Sequence, residues 1–362
     1  MWLFMTDASA LKNSSFSPAG LPVEQGAEPT FGASEAGFVA AVERRLREAL
    51  LLGEDADSAG ELLSEASTHL TLADAAKRAR PRLLWYFARA LSEGDLFSDG
   101  PGAQEEFAAL VDFAVVAELI HTASLMHDDV LDEATLRRGL PSVNANWGNC
   151  IAVLGGDAML VKGLQMLEPY GMNFMSLGLK VVGQMTHSLV LEVQSRAQTD
   201  VTEETWHAIA DGKTGILFGW CGSTPAMRAG KSDIAERLHR CGHHLGVAFQ
   251  LADDLKDLTG ADVGKHRFTD IRTRTPAYPL VWAMNASPET RARFEELWAS
   301  EEISEDDVES AGQQLLESGA LEATQAALRL EIDSALEALG EYATRPGGRE
   351  IAGFAMSLRG FL

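Results

Sequence analysis

Two short acidic clusters carry the chemistry of this sequence. Asp128, Asp129 and Asp132 form one DDxxD pattern, and Asp253, Asp254 and Asp257 form another about 125 residues further on. Each closes an apolar run, VDFAVVAELIHTASLM before the first and GVAFQLA before the second. On an α-helix Asp128 and Asp132 share a face, His121 lies two turns earlier, and Gln250 stands one turn before Asp254. Carboxylates crowded at the end of an apolar helix repel one another and resist desolvation unless a cation joins them. Mg2+ suits the task, being a hard ion that sits between one or two carboxylates and substrate phosphates. A lone DDxxD is ordinarily a solvated acidic turn. Two of them, each ending an apolar helix, predict two walls of one cavity holding metal and a diphosphate.

Positive charge is scarce, so its clusters are informative. The net charge is −23, from 30 basic and 53 acidic residues, which excludes nucleic acid or an anionic membrane surface as a general partner. An anionic ligand therefore needs a local basic pocket. Arg137, Arg138 and Gly139 follow the first acid cluster, and the arginines suit phosphate oxygens turned away from the metal. Lys77, Arg78 and Arg80 precede Pro81 at the start of an apolar helix, where backbone amides also favour anions. A loop over 259–276 holds Lys265, His266, Arg267, Arg272 and Arg274. Lys213 lies mid-run between Gly212 and Gly215, and two glycines inside a helix predict a kink beside the lysine.

The elements that position these residues read as helices. Ser34 before Glu35 is a helix start. Long apolar-periodic segments follow over 75–91, 105–135, 142–168, 173–198, 200–227 and 232–258, and helical patterning resumes over 277–362. No alternating strand run, Gly-rich nucleotide loop, HExxH or GxSxG interrupts them. The expected fold is all-α, a single large helical bundle around a central cavity. Residues 1–33, rich in Ser, Pro, Gly and Ala, are expected to form a flexible extension to a catalytic domain over 34–362. Cys150, Cys221 and Cys241 read as reduced core thiols of a cytoplasmic protein. MWLFM is too short for a signal segment, and no stretch is expected to cross a bilayer. Met159, Met166, Met172, Met175 and Met185 read as core filling and His127 as structural, while the sequence names no partner for His187 or the pair His243–His244.

The motifs resemble those of the trans-isoprenyl diphosphate synthases, the polyprenyl synthetase family. The resemblance covers roughly residues 36–362 and rests on the first DDxxD with its trailing RRG, on FQLADDLKD, on KRARP at 77–81 and on Lys213–Thr214–Gly215. It implies the isoprenoid synthase type I fold, a homodimer and Mg2+-dependent head-to-tail (1'-4) condensation of isopentenyl diphosphate with an allylic diphosphate. By that resemblance Arg137, Lys213 and Lys265 hold the allylic diphosphate, and Lys77, Arg80, His121 and Arg138 hold isopentenyl diphosphate. Thr214 and Gln250 line the carbocation. Asp128, Asp132 and Asp253 are direct metal ligands, and Asp129, Asp254 and Asp257 act through water or a supporting shell.

Two departures stand out. Ala75 and Ala76 replace the family's two glycines, and DIRTRTPAYP lacks its second loop lysine, leaving Arg272 or Arg274 as substitutes. In the family the residues four and five positions before the first Asp floor the product tunnel. Here they are the small Ser124 and Ala123, with Ile120 above them, so the resemblance implies a medium- or long-chain all-trans polyprenyl diphosphate. Farnesyl or geranylgeranyl diphosphate synthesis is the alternative, followed by a class I terpene cyclase or a non-catalytic synthase subunit.

Overall fold

The computed structural model describes residues 34–51, 58–73, 76–92, 102–260 and 267–361, all within the compact unit Ala33–Leu362. The extension expected over 1–33, Ala75 and Lys265 lie outside the described residues. Helices come in the order α1 (Glu35–Ala49), α2 (Ser58–Thr71), α3 (Ala79–Leu91) and α4 (Ala103–Leu131). Two-residue strands β1 (Leu136–Arg137) and β2 (Leu140–Pro141) follow, then α5 (Val143–Trp147), α6 (Asn149–Leu167), α7 (Met172–Ser195) and α8 (Glu203–Ala210). Next come α9 (Ile216–Arg228), α10 (Ser232–Thr259), α11 (Thr269–Thr273), α12 (Tyr278–Ala286), α13 (Pro288–Ala299), α14 (Glu305–Glu317), α15 (Ala320–Leu339) and α16 (Pro346–Leu358). The fold is all-α, as expected. The Ser34 side chain accepts from the Gly37 amide and opens α1.

Helix α4 is buried almost all round from Ala109 to Ala123, as an apolar helix without a polar face must be. It packs along α6, while α10 packs along α9 and α15. The α9–α10 contact is backbone on backbone. A Cβ added to Gly246 would lie 2.6 Å from Gly215 Cα, and one on Gly242 would lie 2.2 Å from the Phe218 carbonyl oxygen. The kink expected near Lys213 is a single π-helical turn, Asp211–Gly215, inserted between α8 and α9. A satellite core of Leu258, Phe268, Ile271, Leu280 and Trp298 anchors the segment that follows the second acid cluster.

Three expectations change. Helices α4 and Asn149–Tyr170 are each long and apolar enough to cross a membrane, but 78% of the α4 window is buried in the protein. Cys150 is exposed, unlike Cys221 and Cys241, because it starts α6 on its outer face. Met172 is also exposed, at 76%, whereas Met159 and Met166 fill the core.

Candidate active site

The first acid cluster occupies the C-terminal end of α4. Asp132 is the C-cap, its amide donating to the Asp128 carbonyl. Carboxylates oppose the negative end of the helix dipole there, which is the wrong place for acids with no compensating cation. The chain then reverses through a two-residue hairpin in which Arg137 pairs with Leu140. Arg138 and Gly139 both take positive φ, 55° and 77°, as a hairpin turn of this hand requires. The reversal brings Arg137 back onto Asp129: Nε and Nη2 lie 2.7 and 2.6 Å from Oδ1. Asp129 is fully buried, and among the described residues its Oδ2 has no hydrogen-bond partner.

A cavity of about 340 Å3 opens beside this helix end. Asp132, Lys213, Gln250 and Asp254 line it, together with Glu192, Arg196 and Asp270. Lys213 Nζ is 2.7 Å from Glu192 Oε2. Burial alone would lower the Lys213 pKa, but the Glu192 and Asp128 carboxylates outweigh it and keep the ammonium charged. Burial, reinforced by Glu192 and Asp132 and opposed by Lys213, pushes Asp128 up to about 6. Across the cavity the Thr214 hydroxyl donates to Gln250 Oε1 at 3.3 Å, and Gln250 Nε2 donates to Asp254 Oδ1 at 3.0 Å. The Tyr278 amide donates to Asp254 Oδ2 at 2.8 Å. Burial raises both Asp254 and Asp270, and Asp254 and Asp257 raise Asp270 further.

The cation cluster expected from KRARP and RRG forms around His121. Burial and the charges of Arg80, Arg138, Arg137 and Arg78 hold its imidazole well below the usual range, so it is neutral. Arg78 is committed to the fold: Nε meets Glu43 at 2.5 Å, Nη1 meets Glu118 at 2.7 Å, and Nη2 donates to the Thr71 carbonyl. That fixes the segment from which Lys77 reaches solvent and Arg80 turns inward. Arg80 Nε is buried without a hydrogen-bond partner among the described residues, its guanidinium lying 5.4 Å over the Phe218 ring. Arg138 donates to the Leu70 carbonyl at 2.8 Å.

Several expected site residues stand elsewhere. Asp253 does not line the cavity and is ion-paired with Lys256. Asp257 accepts from the Thr269 and Asp270 amides at 2.9 and 3.1 Å, so both its oxygens hold the next segment. Arg272 pairs with Glu305, and Arg274 donates to the Ser300 and Glu301 carbonyls. Both point away from the cavity, and Thr273 and Thr275 line it instead. His127 bonds the Val153 carbonyl, His243 pairs with Asp211 at 2.5 Å, and His244 with Glu331 at 2.7 Å.

A second, apolar cavity of about 50 Å3 runs from Asp128 and Lys213 past Ser124 to Ile120, between Leu160, Val182, Met185 and Leu189. Ala123 is not part of it and is fully buried in the core. Glu192, Arg196 and Asp270 were not legible as site residues. The available signal for Glu192 was a lone acid in the apolar run SLVLEVQSR, one turn before an arginine.

Among the described residues no three His, Cys, Asp or Glu side chains form a ready metal cage. The donors nonetheless fit a divalent cation that takes part of its shell from a ligand. They are hard carboxylates on two walls, one of them, Asp128, raised to about 6 chiefly by burial, and they include a buried oxygen of Asp129 that has no hydrogen-bond partner among the described residues.

An all-α bundle with acid-bearing helix ends, a charged lysine and a neighbouring arginine pocket around one cavity defines a class that handles diphosphates with a divalent cation. The polyprenyl synthetase family model matches residues 60–315, and the chain belongs to that family. It is 32% identical over 273 residues to a nonaprenyl diphosphate synthase of Mycobacterium tuberculosis, covering 75% of this chain and 76% of that one. A (2E,6E)-farnesyl diphosphate synthase of the same organism is 33% identical over 215 residues, covering 58% of this chain and 56% of that one. The crystal structure of a polyprenyl synthase from Caulobacter crescentus, complexed with calcium and isoprenyl diphosphate, superposes with a TM-score of 0.76 at 26% identity, covering 90% and 95% of the two chains.

Proposed function

We propose that this protein condenses isopentenyl diphosphate with an allylic diphosphate, head to tail, to make an all-trans polyprenyl diphosphate. The observation that carries the reading is that Lys213 lines both cavities. A diphosphate held among Lys213, Asp128 and Asp132 would therefore have its hydrocarbon tail at the mouth of the apolar cavity past Ser124. Mg2+ held by Asp128 and Asp132 on one wall and by the second acid cluster on the other would neutralise the departing diphosphate as a Lewis acid. Lys213 adds a fixed charge from the protein, and Thr214 and Gln250 turn oxygen dipoles toward the cation left behind. Arg80, Arg138, Lys77 and the neutral His121 hold isopentenyl diphosphate beside it, so that its double bond faces the allylic carbon. After the new C–C bond forms, a proton leaves and the chain is five carbons longer.

Ser124 leaves the apolar cavity open at its mouth, which supports products longer than geranylgeranyl diphosphate. The small volume of about 50 Å3, closed by Ile120, favours the second reading, a chain that stops at farnesyl or geranylgeranyl. The test is a product assay with Mg2+, labelled isopentenyl diphosphate and each allylic starter. The first reading requires wild-type products beyond geranylgeranyl and shorter ones from Ser124→Phe. Identical product lengths from both would sink the tunnel assignment. No incorporation from any starter would sink the synthase reading.

We also propose a cytoplasmic homodimer. Val153, Leu154 and Val161 on α6 and Leu179, Val190 and Val193 on α7 are all exposed, and a second copy would cover them.

A further inference from the structure

Arg196 follows α7 as its C-cap and belongs to none of the motifs that mark the site. It lines the larger cavity all the same. Its Nη2 lies 2.5 Å from Asp132 Oδ1 and 3.7 Å from Glu192 Oε1. Its Nε is buried with no hydrogen-bond partner among the described residues. Lys213 approaches the other oxygen of Glu192. Two cations and two carboxylates thus alternate across the cavity in the order Lys213, Glu192, Arg196, Asp132. The backbone beyond Arg196 is pinned: Ala197 takes a left-handed φ of 59°, and its amide donates to the Arg274 carbonyl at 3.0 Å. That bond ties the end of α7 to the segment carrying Thr273 and Thr275 on the same cavity wall.

We propose that Arg196 is a further diphosphate-binding residue, held on Asp132 while the protein is free of metal. The inference rests on the prenyl-transfer reading above. Asp132 cannot serve a divalent cation and a guanidinium equally, because each cation repels the other. Once a divalent cation takes Asp132, the diphosphate is the anion within the same cavity to which the guanidinium can turn. The planar fork of Arg196 then meets it with two parallel donors, one of them the Nε that lacks a partner. Glu192 acts as the fixed pivot, buried between Arg196 and Lys213, and keeps the two cations apart and oriented.

Calorimetric titration of the full chain separates the steps. Wild type, Arg196→Gln and Arg196→Lys are titrated with Mg2+ alone, and then with inorganic pyrophosphate at saturating Mg2+. Without a competing cation on Asp132, Arg196→Gln is expected to bind Mg2+ alone about fivefold more tightly. It is expected to bind pyrophosphate about tenfold more weakly, the loss of a charge-assisted fork. Arg196→Lys keeps the charge without the fork and is expected to fall between the two, which also covers a glutamine variant that does not fold. Pyrophosphate affinity within twofold of wild type in both variants overturns the proposal. So does weaker Mg2+ binding with unchanged pyrophosphate affinity, since Arg196 would then only orient Asp132. A wild type that binds no pyrophosphate with Mg2+ sinks the prenyl-transfer reading and this proposal together. A wild type that binds it, matched by the variants, sinks this proposal alone.

Discussion

Asp128 and Asp257 belong to the two acid clusters and do different physical work. Asp128 is raised to about 6 by burial, with Glu192 and Asp132 adding to it and Lys213 opposing, and among the described residues it has no side-chain hydrogen bond of its own. Its ionised state at neutral pH therefore costs stability until a cation arrives. Asp257 spends both oxygens on the amides of Thr269 and Asp270, as a helix cap does. The expected outcomes differ accordingly. Asp128→Asn lowers kcat on the order of 10^2–10^3-fold, the loss typical of a transition-state electrostatic group, while the melting temperature holds or rises. Asp257→Ala destabilises the protein by about 1 kcal/mol through the lost cap. Parallel thermal melts and initial rates check both, and an unstable Asp128→Asn with normal turnover would reverse the assignment.

At the scale of elements, what was legible followed from local pattern and what was not followed from tertiary burial. The acid clusters at the ends of α4 and α10, the Ser34 cap and the all-α architecture are all written in residue spacing. The kink at Gly212 and Gly215 was visible, but its form as a π-turn was not, because that depends on how closely Gly246 lets α10 approach Gly215. The role of Asp257 was hidden for a similar reason, since its partners are backbone amides of a segment whose path the sequence does not state. Glu192 and Arg196 sit on a helix whose inward face cannot be known until α7 is docked. The π-turn also has an anchor outside the site. His243 on α10 pairs with Asp211 at its first residue, and the adjacent His244, edge-on to the His243 ring, pairs with Glu331 on α15. Asp211 raises the His243 pKa against the opposing effect of burial, and Glu331 raises it further. A folded-state pKa above the unfolded value near 6.5 means that the folded protein holds the extra proton. The stabilisation is thus complete below pH 6.5 and is lost as pH rises through the folded value. His243→Gln is expected to flatten the fall in melting temperature above pH 6.5 and to lower it below that point. A variant that tracks wild type across the range would remove this pair from the support of Lys213.

For the whole molecule the question is what covers α6 and α7. Helix α4 passes the length and apolarity test for a membrane span and answers it by burial, with 78% of its window inside the protein. The span Asn149–Tyr170 passes too, with only 39% inside, and Val153, Leu154 and Val161 on it are exposed at 40, 51 and 54%. Exposed α7 residues such as Leu179 and Val190 extend the apolar surface. A monomer rarely leaves such a surface open to water. An anionic bilayer is an unfavourable cover for a chain of net charge −23, whereas a second copy, as proposed above, would bring an identical apolar face and would meet the first across a two-fold axis. Sedimentation of the wild type is expected to give twice the chain mass of 39.0 kDa. Leu154→Asp with Val161→Asp is expected to give the single-chain mass, because two buried carboxylates per subunit would face their copies without partners. Because α6 also supplies Leu160 to the wall of the apolar cavity, the dissociated variant should make products of altered length. A wild type that sediments as one chain would leave this face for another partner and would confine the product tunnel to a single subunit.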